Sequence, residues 1–216
     1  WANPSSLGEG TNWLDQIYRR GMIQDYNVGI SGGTERTQAS VSLGYFNQEG
    51  ILIESGFERF SLRTNVDFQA NDKLRFGLSS TSSFSDQQII RTNNFANGAY
   101  NIALMMYPTI PEDGFVDGPA LYYSTALDNP VLRAETEPSS LSTLRNMTTA
   151  YGEWDILPGL TYRINVGADV ISSRSTRWQP SFERGLVENI NASSWERRTE
   201  DITWLVENTL TYQNTF

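Results

Sequence analysis

The stretch "LTYRINVGADV" (160–170) alternates apolar and polar positions without interruption. Every even position carries an apolar side chain, and every odd position carries a polar residue, a charged residue or glycine. Because successive side chains of a β-strand point to opposite sides of the sheet, this pattern predicts a strand with one apolar and one polar face. The preceding "LPG" (157–159) predicts a very short turn. Which of the two faces meets water then decides the class of protein.

The same alternation recurs along the chain, so that seven strands are predicted in total. They lie at about 26–30, 39–45, 60–68, 74–78, 145–156, 160–170 and 202–212. With their flanking residues we expect strands of about ten residues or more, longer than the strands of ordinary globular domains. A tilted strand needs about 9–11 residues to cross a bilayer.

The connections between the predicted strands alternate strictly between short and long. The short ones are 33–36, 69–73 and 157–159, and the long ones are 47–56, 87–143 and 174–200. Outer-membrane barrels have short periplasmic turns and long extracellular loops, whereas a soluble sandwich has no reason to sort its loops in this way. The pattern predicts an all-β, antiparallel up-and-down transmembrane β-barrel segment, with its apolar face toward lipid and its polar face toward the lumen.

A linker and one barrel domain are expected from this pattern. Residues 22–216 are predicted to be the first part of the barrel, because seven strands cannot close an even-numbered barrel by themselves. Residues 1–21 are predicted to be a linker that precedes it. This linker carries one short helix over 13–20, capped by Thr11 or Asn12 and ended by Gly21.

The composition excludes several classes of function. The 216 residues have a net charge of −9 and no cluster of Lys and Arg, which argues against nucleic acid as a partner. They contain neither Cys nor His, which removes the usual zinc sites and any Ser-His-Asp or Cys-His triad. We therefore expect no enzyme activity, no metal and no cofactor. No apolar run approaches the roughly 20 residues of a membrane helix.

Three short motifs have simple explanations. The segment 29–33 fits the Gly-x-Ser-x-Gly pattern of hydrolases, but a strand follows it and no His is present, so a strand end and turn is the better interpretation. Acidic residues among glycines in "EDGFVDG" (112–118) could suggest calcium, but they lack the spacing of a known calcium loop. The glycosylation patterns at Asn146 and Asn191 are interpreted as chance.

Aromatic residues in or beside the long loops are the candidate ligand contacts, because aromatic rings offer flat apolar faces to sugars and peptides. Packing against a partner, packing within the loops and an interfacial aromatic girdle are the alternatives for each ring. Trp154 and Trp204 have the parity of the apolar face and are interpreted as barrel wall or girdle. The candidate contacts are Tyr122, Tyr123, Trp178, Phe182 and Trp195.

An ordered series of segments resembles a known family. The series begins with "TNWLDQIYRRGMIQDYNVGISGGTERTQASVSLGYFNQEGILIESGFERFSLRTNVDFQANDKLRFG" (11–77) and continues with "ILPGLTYRINVGAD" (156–169) and "WLVENTLTY" (204–212). It resembles the barrel of SusC/RagA-type TonB-dependent outer-membrane transporters. The shared features are a Trp-containing helix, a strand that ends in Ser-Gly-Gly, and a Tyr-Phe-x-x-Glu-Gly-Ile segment.

The resemblance implies a function in nutrient import. Transporters of this family are barrels of about 22 strands in the outer membrane of Gram-negative bacteria, with a plug through which TonB supplies energy. They import glycans or peptides with a SusD-like surface lipoprotein, and outer-membrane lipid surrounds them. The alternative from the residues alone is a soluble β-sandwich carbohydrate-binding module, whose core would be formed by the even positions. An enzyme is the weakest interpretation.

Overall fold

The computed structural model describes residues 10–91, 98–109, 129–184, 187–189 and 191–214. Within these ranges the chain forms three short helices and nine strands. In chain order they are α1 (Trp13–Ile17), β1 (Ile23–Gly33), β2 (Thr37–Glu49), β3 (Gly56–Asn71), β4 (Leu74–Gln88), α2 (Ala99–Met105), α3 (Pro130–Thr136), β5 (Ser139–Leu157), β6 (Leu160–Gln179), β7 (Phe182–Arg184), β8 (Val187–Asn189) and β9 (Ser193–Tyr212).

Seven of these strands form a single antiparallel sheet in the order β1-β2-β3-β4-β5-β6-β9, and β7 and β8 form a separate hairpin. Each strand of the sheet pairs with the next one in the chain, apart from the β7-β8 hairpin between β6 and β9. The turns at 34–36, 72–73 and 158–159 lie at one end of the sheet, and Gly159 provides the positive φ of 81° that the last of them requires. At the other end, which we call the loop end, β2, β4 and β6 lead into the longer connections 50–55, 89–138 and 180–192.

Five strands extend well past the predicted strand ends, and β4, predicted over 74–78, continues to Gln88. β3 has 16 residues, β5 has 19, and β6 and β9 have 20 each. β6 runs to Gln179 and β9 begins at Ser193, so both enter the predicted loop 174–200. The apolar alternation stops near Val170, but the ladder of backbone hydrogen bonds continues through residues that are mostly polar on both faces. Hydrophobic periodicity marks where one face is apolar and does not mark where pairing ends.

The register brings the alternating apolar positions of neighbouring strands together on one side of the sheet. Val28 pairs with Leu43, and Leu43 pairs with Leu62 on its other side. Val166 pairs with Val206 in the same way. We call this side the apolar face and the opposite side the polar face. The apolar side chains are open rather than packed in a core: Ile30 is 76% exposed and Trp204 is 74% exposed.

Aromatic side chains mark two levels on the apolar face. Tyr26, Tyr45, Phe60 and Phe84 are paired in one continuous row toward the loop end. The other level, near the short turns, consists of the cross-strand pairs Phe68–Phe76 and Trp154–Tyr162. Phe60 and Phe68 are eight residues apart on one strand, about 27 Å along it and about 21 Å in height at a tilt near 40°. This height is close to the apolar band of outer-membrane barrels, about 25 Å.

The N-terminal helix is shorter than the sequence predicts. It begins after Asn12 as expected but ends at Ile17 instead of residue 20. The backbone of the next residues pairs with the connection 50–55: Tyr18 forms a β-bridge with Leu52, and the Arg19 amide donates to the Ile51 carbonyl at 2.8 Å. Tertiary pairing therefore ends the helix before Gly21 can do so.

The long connection 89–138 contains two helices that the sequence analysis did not predict. Ala99, Ile102, Ala103 and Met106 repeat at helical spacing and are all buried. Asn129 caps α3, because its side-chain oxygen accepts from the amides of residues 131 and 132. Among the described residues, no helix is both long and apolar enough to span a membrane.

The three helices and the connection 50–55 form a small packed cluster at the loop end. Trp13 is 2% exposed and Ile17 is fully buried, and both pack with Ala103 and Met106. The Trp13 indole donates to the Tyr107 carbonyl at 3.2 Å. This cluster is the principal hydrophobic core of the described residues, so the chain is packed at the loop end and open along the sheet.

Candidate functional site

The polar face of the sheet is the candidate functional surface, and its part nearest the short turns is rich in paired charges. Arg75 forms an ion pair with Glu153 and lies 3.5 Å from Asp155. Arg163 reaches the other oxygen of Glu153 at 3.4 Å. One carboxylate thus neutralises two guanidinium groups on neighbouring strands. These side chains remain partly exposed, which fits a surface that faces water.

Tyr151 lies across this face above Gly77, its cross-strand partner. Its hydroxyl donates to Asp67 at 2.9 Å, and the Arg163 guanidinium lies 4.2 Å from its ring centroid. A Cβ atom at residue 77 would occupy the space of the Tyr151 ring, so glycine is required there for the close approach. Farther toward the loop end, Arg145 donates to both oxygens of Asp169, at 3.0 and 2.7 Å. Together with the ion pairs of Arg75, these contacts link β3, β4, β5 and β6 through their side chains.

A shallow depression of about 400 Å³ lies at the short-turn end of β1 to β3. Its walls are small or polar and carry no aromatic ring and no arginine. The residues that line it are Ser31, Gly32, Gly33, Thr34, Gln38, Ala39, Ser40, Asn65 and Asp67. The segment 29–33 belongs to β1 and its end, so it forms a strand and not the strand-to-helix elbow of a hydrolase.

The register separates two of the predicted contact residues. Trp178 pairs with Ser194, and Trp195 pairs with Arg177, so the two indoles lie on opposite faces of β6 and β9. Trp195 lies on the polar face and is 48% exposed, and Trp178 lies on the apolar face beyond the end of the apolar band. Phe182 belongs to β7. Tyr122 and Tyr123 lie outside the described residues, as does the segment 112–118.

Trp195 has two basic neighbours that the sequence analysis did not select. The Arg197 guanidinium lies 5.2 Å from the Trp195 ring centroid, and Arg177 is the direct cross-strand partner of Trp195. The sequence does indicate the side on which these residues lie. When the alternation of 202–212 is continued toward the N-terminus, residues 195 and 197 fall on the same side of the strand as its polar positions.

On the apolar face at the same end, two arginines are bridged by one carboxylate. Arg174 and Arg198 are cross-strand partners, and they contact the two oxygens of Glu196 at 2.8 and 2.7 Å. Arg174 lies four residues past Val170, about 14 Å farther along the strand, and so outside the apolar band. Hydrogen bonds from Arg174 and then Arg198 hold the pKa of Glu196 below its ordinary value, and Glu196 raises the pKa of Arg174.

The remaining candidates give no reactive centre. Within the described ranges, no three His, Cys, Asp or Glu residues come together as a metal site would require. Asn146 lies on the apolar face and donates to Ser82 at 2.7 Å. Trp154 and Trp204 both lie on the apolar face, Trp154 near the short turns and Trp204 opposite Ala168.

Curated proteins with similar sequences are TonB-dependent receptors. The chain is 30% identical over 222 aligned residues to TonB-dependent receptor P26 of Formosa agariphila, covering 98% of this chain and 21% of that protein. It is 24% identical to receptor P3 of the same organism, covering 95% of this chain and 21% of that protein. A segment of 64 residues is 41% identical to TonB-dependent receptor SusC of Bacteroides thetaiotaomicron, covering 29% of this chain and 6% of that protein. No protein-family model matches the chain.

Solved structures with a similar fold include the RagAB peptide importer. Its closed-closed state matches 97% of this chain and 24% of that chain, with a TM-score of 0.77 and 20% identity. Its open-open state matches 95% of this chain and 23% of that chain, with a TM-score of 0.76 and 21% identity. At this identity the likeness establishes the fold, a segment of an antiparallel β-barrel. The chain spans about a fifth of the length of the curated relatives that it matches over most of its length.

Proposed function

We propose that this chain, as a β-barrel segment of the SusC/RagA type of TonB-dependent receptor, contributes to an outer-membrane import channel. It would form part of the wall and outer loops of that channel. The relatives are receptors and transporters rather than enzymes, and we assign the chain no covalent chemistry. The observation that carries the proposal is the apolar face, which is exposed across seven strands and bounded at two levels by aromatic side chains. Lipid is the surrounding that such a face requires.

The polar face is the proposed lining of the conduit. Its serine, threonine, asparagine and paired charged side chains can exchange hydrogen bonds with water and with a polar cargo. Sugar hydroxyls and peptide amides both fit such a lining, so we propose a glycan or a peptide as the cargo. The ion pairs of Glu153 and Asp169 hold charge in a wet interior without leaving it uncompensated.

The proposed partners follow from the two ends of the sheet. The packed helix cluster at the loop end is a folded surface on the outer side, where a SusD-like surface lipoprotein would sit. TonB would supply energy from the periplasmic side through a plug, which is not part of the described fold. The proposed location is the outer membrane of a Gram-negative cell.

The alternative, a soluble carbohydrate-binding sandwich, lacks support from the fold. A sandwich needs a second sheet packed on the apolar face. In the parts of the chain that the structure describes, the only other sheet is the hairpin of β7 and β8, with three residues in each strand.

The orientation can be tested by labelling single cysteines, since the 216 residues contain none. In the full-length protein, Ser181→Cys would place a thiol at the loop end, and Glu35→Cys would place one in the turn 34–36. Both positions are exposed in the structure. We expect a membrane-impermeant maleimide to label residue 181 in intact cells and residue 35 only after the cells are lysed. Equal labelling of both in intact cells would contradict the proposed orientation.

Transport itself needs a separate measurement. Cells that express the full-length protein should accumulate fluorescent oligosaccharides or peptides of about 5–10 units, offered in both neutral and acidic forms, and an uncoupler of the proton-motive force should abolish accumulation. Cells that carry the empty vector are the control. Absence of energy-dependent uptake for both kinds of oligomer would refute the import function.

A further inference from the structure

Two arginines flank an exposed tryptophan on the polar face at the loop end. Arg177 and Trp195 are direct cross-strand partners, and Arg197 follows two residues later on the same side of β9. The Arg197 guanidinium lies 5.2 Å from the Trp195 ring centroid, within the range of a cation–π contact. Directly paired side chains have Cβ atoms about 5 Å apart, so all three side chains share one small patch.

The positive charge of this patch is not neutralised within the described residues. Neither Arg177 nor Arg197 has an ion pair there, whereas the arginines of the opposite face share Glu196. The next carboxylate along the polar side of β9 is Asp201, four residues from Arg197 and so about 14 Å away. The polar-face neighbours between them are uncharged, namely Ser173, Ser175 and Thr199.

The positive charge of this patch differs from the charge of the whole chain and from that of the opposite face. The whole chain has a net charge of −9, with 25 acidic and 16 basic residues. A chain with this excess of carboxylates has ample means to pair its arginines, and on the apolar side of the same two strands it does so. The patch therefore presents two guanidinium groups to whatever enters along the polar face.

We propose that Trp195, Arg177 and Arg197 form a binding site for a carboxylate group of the cargo. This inference rests on the proposed import function and adds the chemical class of its substrate, an acidic oligomer. A guanidinium group binds a carboxylate through two parallel hydrogen bonds. The Trp195 ring supplies an apolar face for the adjoining sugar ring or peptide side chain.

The position of the patch suits an early contact with the cargo. Trp195 lies seven residues past Ile202, or about 24 Å farther along the strand. Ile202 is the last residue of the alternating apolar run of β9 toward the loop end. Positive potential at the mouth of a channel raises the local concentration of an anionic ligand. The site would thus select acidic cargo before it reaches the paired charges deeper on the polar face.

The test is calorimetric titration of the purified full-length protein with four probes. Two are glycans, an oligogalacturonide and its neutral methyl ester, and two are peptides of equal length, one rich in Glu and one with Gln in its place. The test variant is Arg177→Gln with Arg197→Gln. The matched control, Arg174→Gln with Arg198→Gln, removes the same charge from the opposite face of the same two strands.

We expect the wild-type protein to bind at least one acidic probe about tenfold more tightly than its neutral counterpart. The test variant should lose that preference, and the control variant should keep it within about twofold. Preference in the glycan pair would identify an acidic sugar as the ligand, and preference in the peptide pair an acidic side chain. A heat-dependent shift in electrophoretic mobility, equal in all three proteins, would show that they are folded.

Two results would overturn the inference. One is equal or absent binding of the acidic and neutral probes by the wild-type protein, and the other is a preference that survives in the test variant. In either case, uptake of neutral oligomers would leave the import function intact. Loss of all energy-dependent uptake would instead remove the import function, on which the inference rests.

Discussion

Arginine substitutions along β6 should report where lipid meets the sheet. Val166 lies on the apolar face opposite Ala150 and Val206 and is 45% exposed. It is six residues from Leu160 and four from Val170, the first and last residues of the alternating apolar run on this face of β6. Val166→Arg would therefore place a guanidinium near the middle of the apolar band.

The expected cost follows from this depth. An arginine on the lipid side of a membrane barrel costs about 2–4 kcal/mol at the midplane and about 0–1 kcal/mol near the interfaces. Gly167→Arg introduces the same charge at nearly the same depth but on the polar face, where a Cβ would meet its nearest neighbour at an ordinary 3.5 Å. We expect a change within about 1 kcal/mol for this control. Ser172→Arg, on the apolar face past Val170, should cost about 0–1 kcal/mol.

The assay is denaturant unfolding of the full-length protein folded in lipid vesicles, followed by tryptophan fluorescence. An arginine in a packed core would also destabilise, so Val166→Phe is needed as a second variant. In lipid a larger apolar side chain is tolerated, whereas in a packed core it would cost about 1–3 kcal/mol. Equal costs for Val166→Arg and Gly167→Arg, or a clear loss for Val166→Phe, would refute the assignment of this face to lipid.

Three further outcomes are expected. Trp13→Ala should lower the stability of the loop-end helix cluster by about 3–5 kcal/mol. Limited proteolysis should then cut the connection 50–55 faster, while the sheet keeps its unfolding transition. An unchanged rate of proteolysis would contradict the packing described for that cluster. Gly77→Ala should destabilise the protein by about 1–3 kcal/mol in the same unfolding assay, because the methyl group displaces the Tyr151 ring. Tyr151→Phe removes only the hydroxyl and should cost about 1 kcal/mol. Equal costs for the two variants would show that the ring does not lie over residue 77. Because the pKa of Glu196 is lowered in the folded state, its ion pairs stabilise that state fully above the unfolded carboxyl pKa, about 4.3. This stabilisation is lost as the pH falls through the folded pKa. Carbon NMR should show a lower pKa for Glu196 than for an ordinary Glu, and Arg174→Gln should raise the pKa of Glu196.

Much of the sheet could be predicted because its pattern is strictly local. The apolar and polar positions of 160–170 alternate with the period of a strand, and the lengths of the connections sort into two ends, so strand number, antiparallel order and sidedness follow from the chain alone. The seven-stranded sheet and its single apolar face confirm those predictions. The barrel class is likewise confirmed by the similarity to TonB-dependent receptors and to the RagAB fold.

The helices at the loop end show where local pattern was insufficient. The sequence of α2 contains a helical repeat of apolar residues, and α3 begins with Asn-Pro, which is typical of a helix start. Both helices lie within a long connection to which the strand pattern assigned no secondary structure. The residues of α1 themselves do not indicate that the helix ends as early as Ile17. This early end depends on hydrogen bonds to residues 51–53, which only the folded chain brings near.

Length, composition and alternation by themselves determined the strand pattern, the polarity of the two faces and the absence of Cys and His chemistry. The tertiary structure alone decided which residues work together. The register, through pairings between positions 16 or more residues apart, set Trp195 beside Arg177 and placed Trp178 on the other side of the sheet. The physical reason is that alternation specifies which side of its own strand a residue occupies, whereas its neighbour across the sheet depends on how two distant segments align, and a shift of one residue would exchange the faces.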